Sequence, residues 1–477
     1  MTKRIRFDLL ASAGVIFAFL CGSGNAADSR PNILFLLADD MRADAIAAFG
    51  NNRIETPNID RLIARGMSFT RASCSNPICV VSRAEILTGR HGWENGIKGF
   101  RGNNLERDNS YWAATLGSAG YETAYVGKWH TSGRPLNAGY SEVAGLFSSG
   151  GSKYWKEGQT DWKGFPVTGY RGWIFQNADG KTKYPELGVG VTPDISSKFA
   201  DAAISVIEQD HESPWFCHVN FTSPHDPLFI PPGLEEKYSE EDMGLPKDFV
   251  PVHPFDHGNF DGRDEALLEW PRSEESVLDL LRVYYSVIDD MDAQIGRIIA
   301  SLKETGQYEN TLIIFASDHG MACGSHGLRG KQNQYEHTIN VPLIFAGPGI
   351  PANTSSGAQV YLRELFPTTC DLAGVEIPET VTATSFAPVL KGETTTHHKD
   401  IFGYFTDTQR MIRSEDGWKL VRYPQIDHWQ LFDLNQDPFE MTNLSNSTEE
   451  TPRKQFKKLK AKLQTWRNET GDPLTLP

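Results

Sequence analysis

Residues 31–40 read P-N-I-L-F-L-L-A-D-D, a nearly unbroken apolar run that ends in two carboxylates. An apolar run of this length predicts a β-strand that is buried on both faces, as in a parallel sheet. Asp39 and Asp40 would then lie at the carboxyl end of the strand, where open α/β sheets place their functional sites. A solvent-exposed turn is the alternative interpretation, because Asp is common in turns.

Three further apolar runs repeat this arrangement. They cover residues 121–126, 215–221 and 311–317, and they lead into G-K-W-H at 127–130, S-P-H-D at 223–226 and D-H-G at 318–320. Because the carboxyl ends of parallel strands lie at the same edge of a sheet, the set predicts one cleft lined by ionisable side chains.

Helical patterns lie between these runs. Residues 194–209 and 274–304 are amphipathic, and residues 58–66 follow a proline and end at a glycine. The alternation predicts an α/β fold with a large, doubly wound, mixed but mostly parallel sheet sandwiched by helices. Residues 341–346 add another strand.

Two segments interrupt the alternation. Residues 147–175 are rich in glycine and aromatic residues, and their rings either stack on sugar faces or pack against one another. Residues 231–271 are polar and rich in proline, and they form a second candidate substrate loop with His253 and His257.

The last part of the chain has a different pattern. Short strand-like pieces and a lysine-rich amphipathic helix pattern predict a small antiparallel sheet followed by a helix. We therefore predict a catalytic α/β domain over residues 27–393 and a C-terminal α+β subdomain over residues 394–477.

Residues 1–26 have the order of a signal peptide: cations, an apolar run at 9–20, then small residues. The run is short for a membrane span, so we predict no stable span and export to the periplasm or the exterior. These residues carry three cations and one anion, so their removal changes the formal net charge from −15 to −17. An acidic protein is a poor nucleic-acid binder, so no nucleic-acid partner is expected.

Five cysteines follow the predicted signal peptide, an odd number that leaves at least one unpaired. Cys217 lies in an apolar strand pattern and is predicted to be a core thiol.

Residues 76–90 read N-P-I-C-V-V-S-R-A-E-I-L-T-G-R. Ser82 and Glu85 have capping-box spacing, which predicts a helix that begins near Ser82. Cys79 would then lie just ahead of the positive end of a helix dipole, where a thiolate or a tetrahedral dianion is stabilised. Taken alone, such a cysteine is more often a buried apolar residue.

The whole string, Cys-x-x-Ser-Arg-(x)3-Leu-Thr-Gly-Arg, resembles the signature of the type I, formylglycine-dependent sulfatases of the alkaline phosphatase superfamily. In that family, a formylglycine-generating enzyme oxidises this cysteine, here Cys79, to an aldehyde. The family pattern usually has proline where this chain has Val81. The resemblance extends from residue 31 to about residue 444.

The resemblance also implies a metal site and a set of catalytic residues. Asp39, Asp40, Asp318 and His319 match the family's metal ligands, and hard oxygen donors suit Ca2+ or, as the second choice, Mg2+. The catalytic residues carried over by their motifs are Cys79, Arg83, Lys128, His130, His225 and Lys331.

The implied reaction is nucleophilic hydrolysis of a sulfate ester, with a sulfated poly- or oligosaccharide as the expected substrate. Hydrated formylglycine would attack sulfur with support from Arg83, and His225 with Lys331 would protonate the leaving alcohol. Lys128 and Lys331 would neutralise sulfate oxygens, and His130 would deprotonate the second hydroxyl of the hydrate.

Two alternatives remain open. One is a phosphate or phosphonate ester hydrolase of the same superfamily. The other is a glycan-binding protein without turnover, which would result if Val81 prevents conversion of Cys79.

Overall fold

The computed structural model describes residues 30–100, 104–105 and 107–472. The predicted signal peptide lies outside these residues. In the described part of the chain, no helix combines the length and apolar character needed to cross a membrane.

The described residues form fifteen strands and ten α-helices. The strands are β1 Asn32–Ala38, β2 Gly66–Phe69, β3 Ala72–Ser73, β4 Glu122–Lys128, β5 Glu142–Ser149, β6 Trp173–Gln176, β7 Trp215–Asn220, β8 Thr311–Ser317, β9 Leu343–Ala346, β10 Thr354–Ser356, β11 Val360–Tyr361, β12 Asp400–Phe405, β13 Gln409–Ser414, β14 Trp418–Tyr423 and β15 His428–Asp433. The helices are α1 Pro57–Arg65, α2 Cys79–Thr88, α3 Gly92–Asn95, α4 Trp112–Ser118, α5 Ile195–Ile207, α6 Glu274–Glu304, α7 Glu336–Ile339, α8 Leu365–Ala373, α9 Ala387–Leu390 and α10 Glu450–Thr470.

Nine strands form one large sheet in the order β10-β2-β9-β8-β1-β7-β4-β5-β6. The five central strands, β8 to β5 in this order, run parallel to one another. β9 is antiparallel to β8 and to β2, and β6 is antiparallel to β5. The prediction of a large mixed, mostly parallel sheet is therefore confirmed.

Each face of the sheet is covered by its own apolar core. Along β1, Leu34 and Leu36 join a core with α5 and α6, whereas Ile33, Phe35 and Leu37 join a core with α4 and α8. Successive side chains of a strand point to opposite faces, so a continuous apolar run supplies both cores at once.

The four strands that we predicted to end in ionisable residues are direct neighbours, in the order β8-β1-β7-β4. Their carboxyl ends therefore meet at one edge of the sheet, as expected.

The aromatic segment at residues 147–175 is largely the connection between β5 and the edge strand β6. Most of its rings, including Phe147, Tyr170 and Phe175, pack into or against the core under α5. Trp155 is the ring of this segment that is half exposed. The packing interpretation therefore describes most of the segment better than sugar stacking does.

The C-terminal part forms a four-stranded antiparallel sheet, β12-β13-β14-β15, with α10 packed against it. Arg413 of β13 is buried and joins this sheet to the large domain. Its guanidinium donates to Glu336 Oε2 at 2.6 Å and to Ser73 Oγ at 2.8 Å. The predicted antiparallel sheet and helix are confirmed.

Candidate active site

The ten residues predicted from the sequence come together at the carboxyl edge of the large sheet. β1 leads into Asp39 and Asp40, and β8 leads into Asp318 and His319. The remaining six are supplied by α2, by the end of β4 and by the connections that follow β4, β7 and β8. Nine of the ten are buried, and His130 is half buried.

Cys79 is the first residue of α2, and this corrects our prediction that the helix begins near Ser82. The N-cap is Ile78, and the hydroxyl of Ser82 donates to the Asp318 carbonyl at 2.7 Å. Ser82 is therefore held by a residue distant in sequence and does not cap the helix. Cys79 nevertheless lies in the first turn of α2, at the positive end of the helix dipole.

The thiol of Cys79 faces the ends of β1 and β8. Its Sγ lies 3.2 Å from His319 Nε2 and 3.9 Å from Asp40 Oδ1. Burial alone would raise the pKa of this thiol, but Lys128, Lys331 and His319 lower it well below its usual range. The position therefore stabilises negative charge on residue 79.

Asp39 is held by cationic and phenolic groups. Lys128 Nζ lies 2.6 Å from Asp39 Oδ2, which also accepts a hydrogen bond from the Tyr170 hydroxyl. Arg83 Nη2 lies 3.4 Å from Asp39 Oδ1. Burial opposes the charge of this carboxylate, but Lys128 keeps its pKa below the ordinary value.

Asp40 pairs with Lys331, whose Nζ lies 2.8 Å from Oδ1 and 2.6 Å from Oδ2. His225 Nε2 lies 3.8 Å from Asp40 Oδ2. Asp40 has a φ of 72°, in the left-handed region, so the chain turns sharply where the carboxylate enters the site.

Asp318 and His319 complete the cluster. Arg83 Nε donates to Asp318 Oδ2 at 2.9 Å, and Arg83 Nη1 donates to Asn220 Oδ1 at 2.6 Å. Burial raises the pKa of Asp318 to about 6 against the opposite effects of His319 and Arg83. Burial lowers the pKa of His319, but Asp318, Cys79 and Asp40 raise it to about 10.

The donor set fits a divalent cation. Three buried carboxylates, those of Asp39, Asp40 and Asp318, converge on Cys79: Asp39 and Asp318 form one group with its thiol, and Asp40 and His319 form another, each with ligand atoms within 4.8 Å of one another. Asp39 Oδ1 is buried and accepts no hydrogen bond from the described residues. Oxygen donors of this kind are the ligands of hard cations, and a cation would satisfy that atom.

Three other residues belong to the site and were not predicted. Tyr170 lies in the aromatic connection, where its contact with Asp39 leaves no pattern in the sequence. Asn220 is the last residue of β7, and its position at a strand end is the signal that could have found it. Arg263 pairs with Asp226 beside His225, with Nη1 lying 2.7 Å from Asp226 Oδ2.

The fold and this cluster define a hydrolase of the alkaline phosphatase superfamily. Residues 31–375 match the family model described as Sulfatase, and residues 324–469 match the one described as N-sulphoglucosamine sulphohydrolase, C-terminal. The chain therefore belongs to the sulfatase family, whose members hydrolyse sulfate esters, and the family implies a metal ion and formylglycine.

Curated relatives resemble the chain over most of its length. An arylsulfatase of Clostridium perfringens is 28% identical over 443 residues, which cover 88% of this chain and 91% of the relative. An N-acetylglucosamine-6-O-sulfatase of Bacteroides thetaiotaomicron is 26% identical, with 92% of this chain and 87% of the relative covered.

Solved structures share the fold. A protein in complex with its substrate D-glucosamine-2-N,6-O-disulfate superposes with a TM-score of 0.75 at 24% identity, covering 93% of this chain and 98% of that one. The phosphonate monoester hydrolase of Agrobacterium radiobacter gives a TM-score of 0.76 at 22% identity, covering 92% and 96%. The fold alone therefore does not distinguish a sulfatase from a phosphonate hydrolase.

Proposed function

We propose that this chain is an exported sulfatase that removes sulfate from a sulfated oligo- or polysaccharide, with formylglycine made from Cys79 as its nucleophile. The observation that carries the proposal is the position of Cys79. It lies in the first turn of α2, 3.2 Å from His319 and beside a carboxylate cluster that fits a cation. The N-acetylglucosamine-6-O-sulfatase relative supports a glycan as the substrate.

Asp39, Asp40, Asp318 and His319 would hold the cation, which we propose to be Ca2+ because three of the four donors are carboxylates. When bound, the cation supplies positive charge that polarises the sulfate group. The three carboxylates are balanced by Arg83, Lys128 and Lys331. A dication therefore leaves the cluster with the positive charge that an anionic ester requires.

Formylglycine in its hydrated form supplies one hydroxyl for attack on sulfur and a second whose deprotonation releases sulfate and restores the aldehyde. Lys128 and Lys331, both buried, would bind the sulfate oxygens in a site that excludes water.

His225 and His130 have opposite electrostatic environments, which supports opposite roles for them in proton transfer. Burial lowers the pKa of His225, but Asp40 raises it above the ordinary value, so this ring holds a proton for the leaving alcohol. Its Nδ1 faces the Asp226 carbonyl, so Nε2 is the nitrogen that faces the site. Burial lowers the pKa of His130, so this ring is neutral and can accept a proton.

Export and modification belong to the same proposal. The order of charged, apolar and small residues in 1–26 supports secretion to the periplasm or the exterior. A formylglycine-generating enzyme is the partner required during maturation, since conversion of Cys79 needs an enzyme.

The test is the mass of the tryptic peptide covering residues 72–83, taken from protein made in its native export pathway. A mass lower by the difference between a thiol-bearing and an aldehyde-bearing carbon is the expected result. An intact, alkylatable Cys79 would contradict the proposed nucleophile and favour a glycan-binding protein without turnover.

A second candidate function is phosphonate or phosphate ester hydrolysis, which the fold shared with the Agrobacterium radiobacter enzyme favours. Parallel assays of one preparation with a sulfated glucosamine, an aryl sulfate and an aryl phosphonate separate the two functions. We expect the higher kcat/KM for a sulfate ester, and a higher value for the phosphonate would overturn that assignment.

A further inference from the structure

A second group of ligand-type side chains lies outside the candidate active site. It consists of Asp248, in the connection between β7 and α6, His326, in the connection between β8 and α7, and His337, in α7. One potential ligand atom from each of the three residues lies within 4.8 Å of the others. None of the three is among the six catalytic residues and four metal ligands predicted from the sequence.

The spacing within this group suits a small metal ion. Asp248 Oδ2 lies 3.3 Å from His326 Nδ1 and 3.7 Å from His337 Nδ1. Tetrahedral bonds of about 2.1 Å place neighbouring ligand atoms about 3.4 Å apart. The three side chains can therefore bind one ion with little movement.

The hydrogen-bonding environment leaves His326 Nδ1 facing the Asp248 carboxylate. Its Nε2 lies 3.2 Å from the backbone carbonyl of Glu440, and because a carbonyl can only accept, Nε2 carries the hydrogen. In the neutral ring Nδ1 then presents a lone pair toward the Asp248 carboxylate, which also carries lone pairs. Two acceptors facing each other repel unless a proton on Nδ1 or a metal cation lies between them, and the experiment below separates the two.

Buried nitrogens without partners point to the same position. His326 Nδ1 and both ring nitrogens of His337 are buried and make no hydrogen bond of good geometry with the described residues, although the two Nδ1 atoms lie within ion-pair distance of Asp248. The side chain of His337 is only 4% exposed. Buried polar atoms of this kind are normally satisfied, and an ion bound between the three side chains would satisfy the two Nδ1 atoms.

The group opens onto a cavity of about 570 Å3, which Asp248 and His337 help to line. Solvent can therefore reach the group and supply further ligands. Two imidazoles and one carboxylate favour zinc or a related transition metal over calcium, which prefers an all-oxygen set.

We propose that Asp248, His326 and His337 form a second metal site that binds a transition-metal dication, zinc by its donor set. The ion would join the connection between β8 and α7, which carries Lys331, to the connection between β7 and α6. His326 N already donates to the Asp248 carbonyl at 2.7 Å, so the ion reinforces an existing contact. The site is independent of the proposed hydrolytic activity.

The test uses zinc chloride as the probe and the full chain carrying Cys79→Ala, with calcium in excess. The substitution removes a thiol that could bind zinc together with Asp40 and His319. Equilibrium dialysis with elemental analysis should find one tightly bound zinc per chain. His326→Gln and His337→Gln should each weaken that binding at least about tenfold and reduce the increase in Tm that zinc produces.

His398→Gln is the matched control, because His398 belongs to another histidine–carboxylate group, with Glu364 and His397. It should leave zinc binding unchanged. Asp248→Asn, which keeps the side-chain shape, replaces either histidine variant that fails to fold. A parent chain without stoichiometric zinc, or zinc binding that survives all three ligand substitutions, overturns the proposal.

Discussion

Three buried carboxylates and three buried cations surround Cys79, and each is paired with at least one of the others. Removing one partner of a buried ion pair leaves an uncompensated charge, which typically costs about 3–5 kcal/mol. Substitutions here therefore change stability as well as catalysis. The informative variants are therefore those whose effect can be measured as a change in ligand-induced stabilisation or attributed to the loss of one hydrogen bond.

Asp318→Ala should abolish hydrolysis and remove the stabilisation expected from the proposed calcium ion. A ligand at a hundred times its Kd stabilises the folded state by about 2.7 kcal/mol, so the parent Tm should rise by several degrees with calcium. The Tm of the variant should not respond. Asp201→Ala, at an exposed carboxylate, is the control, and a calcium shift that persists in Asp318→Ala would remove Asp318 from the metal site.

Tyr170→Phe should reduce kcat/KM about ten- to a hundredfold. The lost hydroxyl donates to Asp39, and hydrogen bonds to charged groups contribute about 1.5–3 kcal/mol. Steady-state kinetics on a sulfate ester provide the measurement. Tyr154→Phe, in the same connection, should be silent, and equal losses in both variants would show that the effect is not specific to Asp39.

At the scale of elements, local patterns predicted most of the fold. The bounds of α6 and β8 match the predicted 274–304 and 311–317. A long amphipathic pattern and a continuous apolar run are each compatible with few other secondary structures. The start of α2 was wrong because the Ser82 hydroxyl is bound by the Asp318 carbonyl, a contact that spacing cannot reveal.

The site was predictable for a related reason. Nine of the ten residues stand in short motifs at or just after the ends of central strands or lie on α2, and Lys331 is the exception. Tyr170 was missed because it reaches Asp39 from an edge connection whose path depends on long-range packing. The pairing of β5 with β6 was missed because the aromatic insert masks the alternation of the short β6 strand.

Glu364→Gln should weaken the contacts that hold the segment preceding β12, which contains His397 and His398, against Glu364. Glu364 is buried and accepts from His398 at 2.5 Å, lies 3.3 Å from His397, and accepts from Tyr361 N at 2.9 Å. Burial would raise its pKa, but the hydrogen bonds from His397 and His398 lower it to about 2.

The pKa of Glu364 is depressed in the folded protein. The ionised carboxylate therefore contributes its full stabilisation above about pH 4.5, and this stabilisation is lost as the pH falls toward 2. The contribution is at most about 3 kcal/mol, from about 1.4 kcal/mol for each pKa unit. Urea unfolding at pH 7, 4.5 and 3 should show a steeper loss for the parent than for Glu364→Gln. Parallel curves for the two proteins would contradict this role.

At the scale of the whole molecule, the net negative charge of the chain opposes the approach of an anionic substrate to the cationic groups of the site. The chain has a formal net charge of −15, whereas the cationic groups that would receive a sulfate are buried at one edge of the sheet. The long-range field therefore repels a polyanionic substrate, and capture depends on contacts at short range.

Raising the ionic strength should therefore favour a highly sulfated polymer over a monosulfated disaccharide. The screening length falls from about 30 Å at 0.01 M salt to about 8 Å at 0.15 M, which removes repulsion from distant carboxylates. We expect the ratio of the two kcat/KM values, polymer to disaccharide, to rise several-fold. A ratio that falls with salt would show that the surface attracts the polymer.

All five cysteines of the described residues are free and buried, including Cys217, which was predicted to be a core thiol. The folded chain therefore shields its sulfhydryl groups from alkylating reagents. The rate at which they are alkylated measures how often the interior opens transiently. The same residues provide a chemical count. In urea, a preparation in which position 79 carries an aldehyde takes up one label fewer than an unconverted preparation of the same length. Labelling in urea therefore measures the conversion of Cys79, and labelling of the folded chain measures its transient opening.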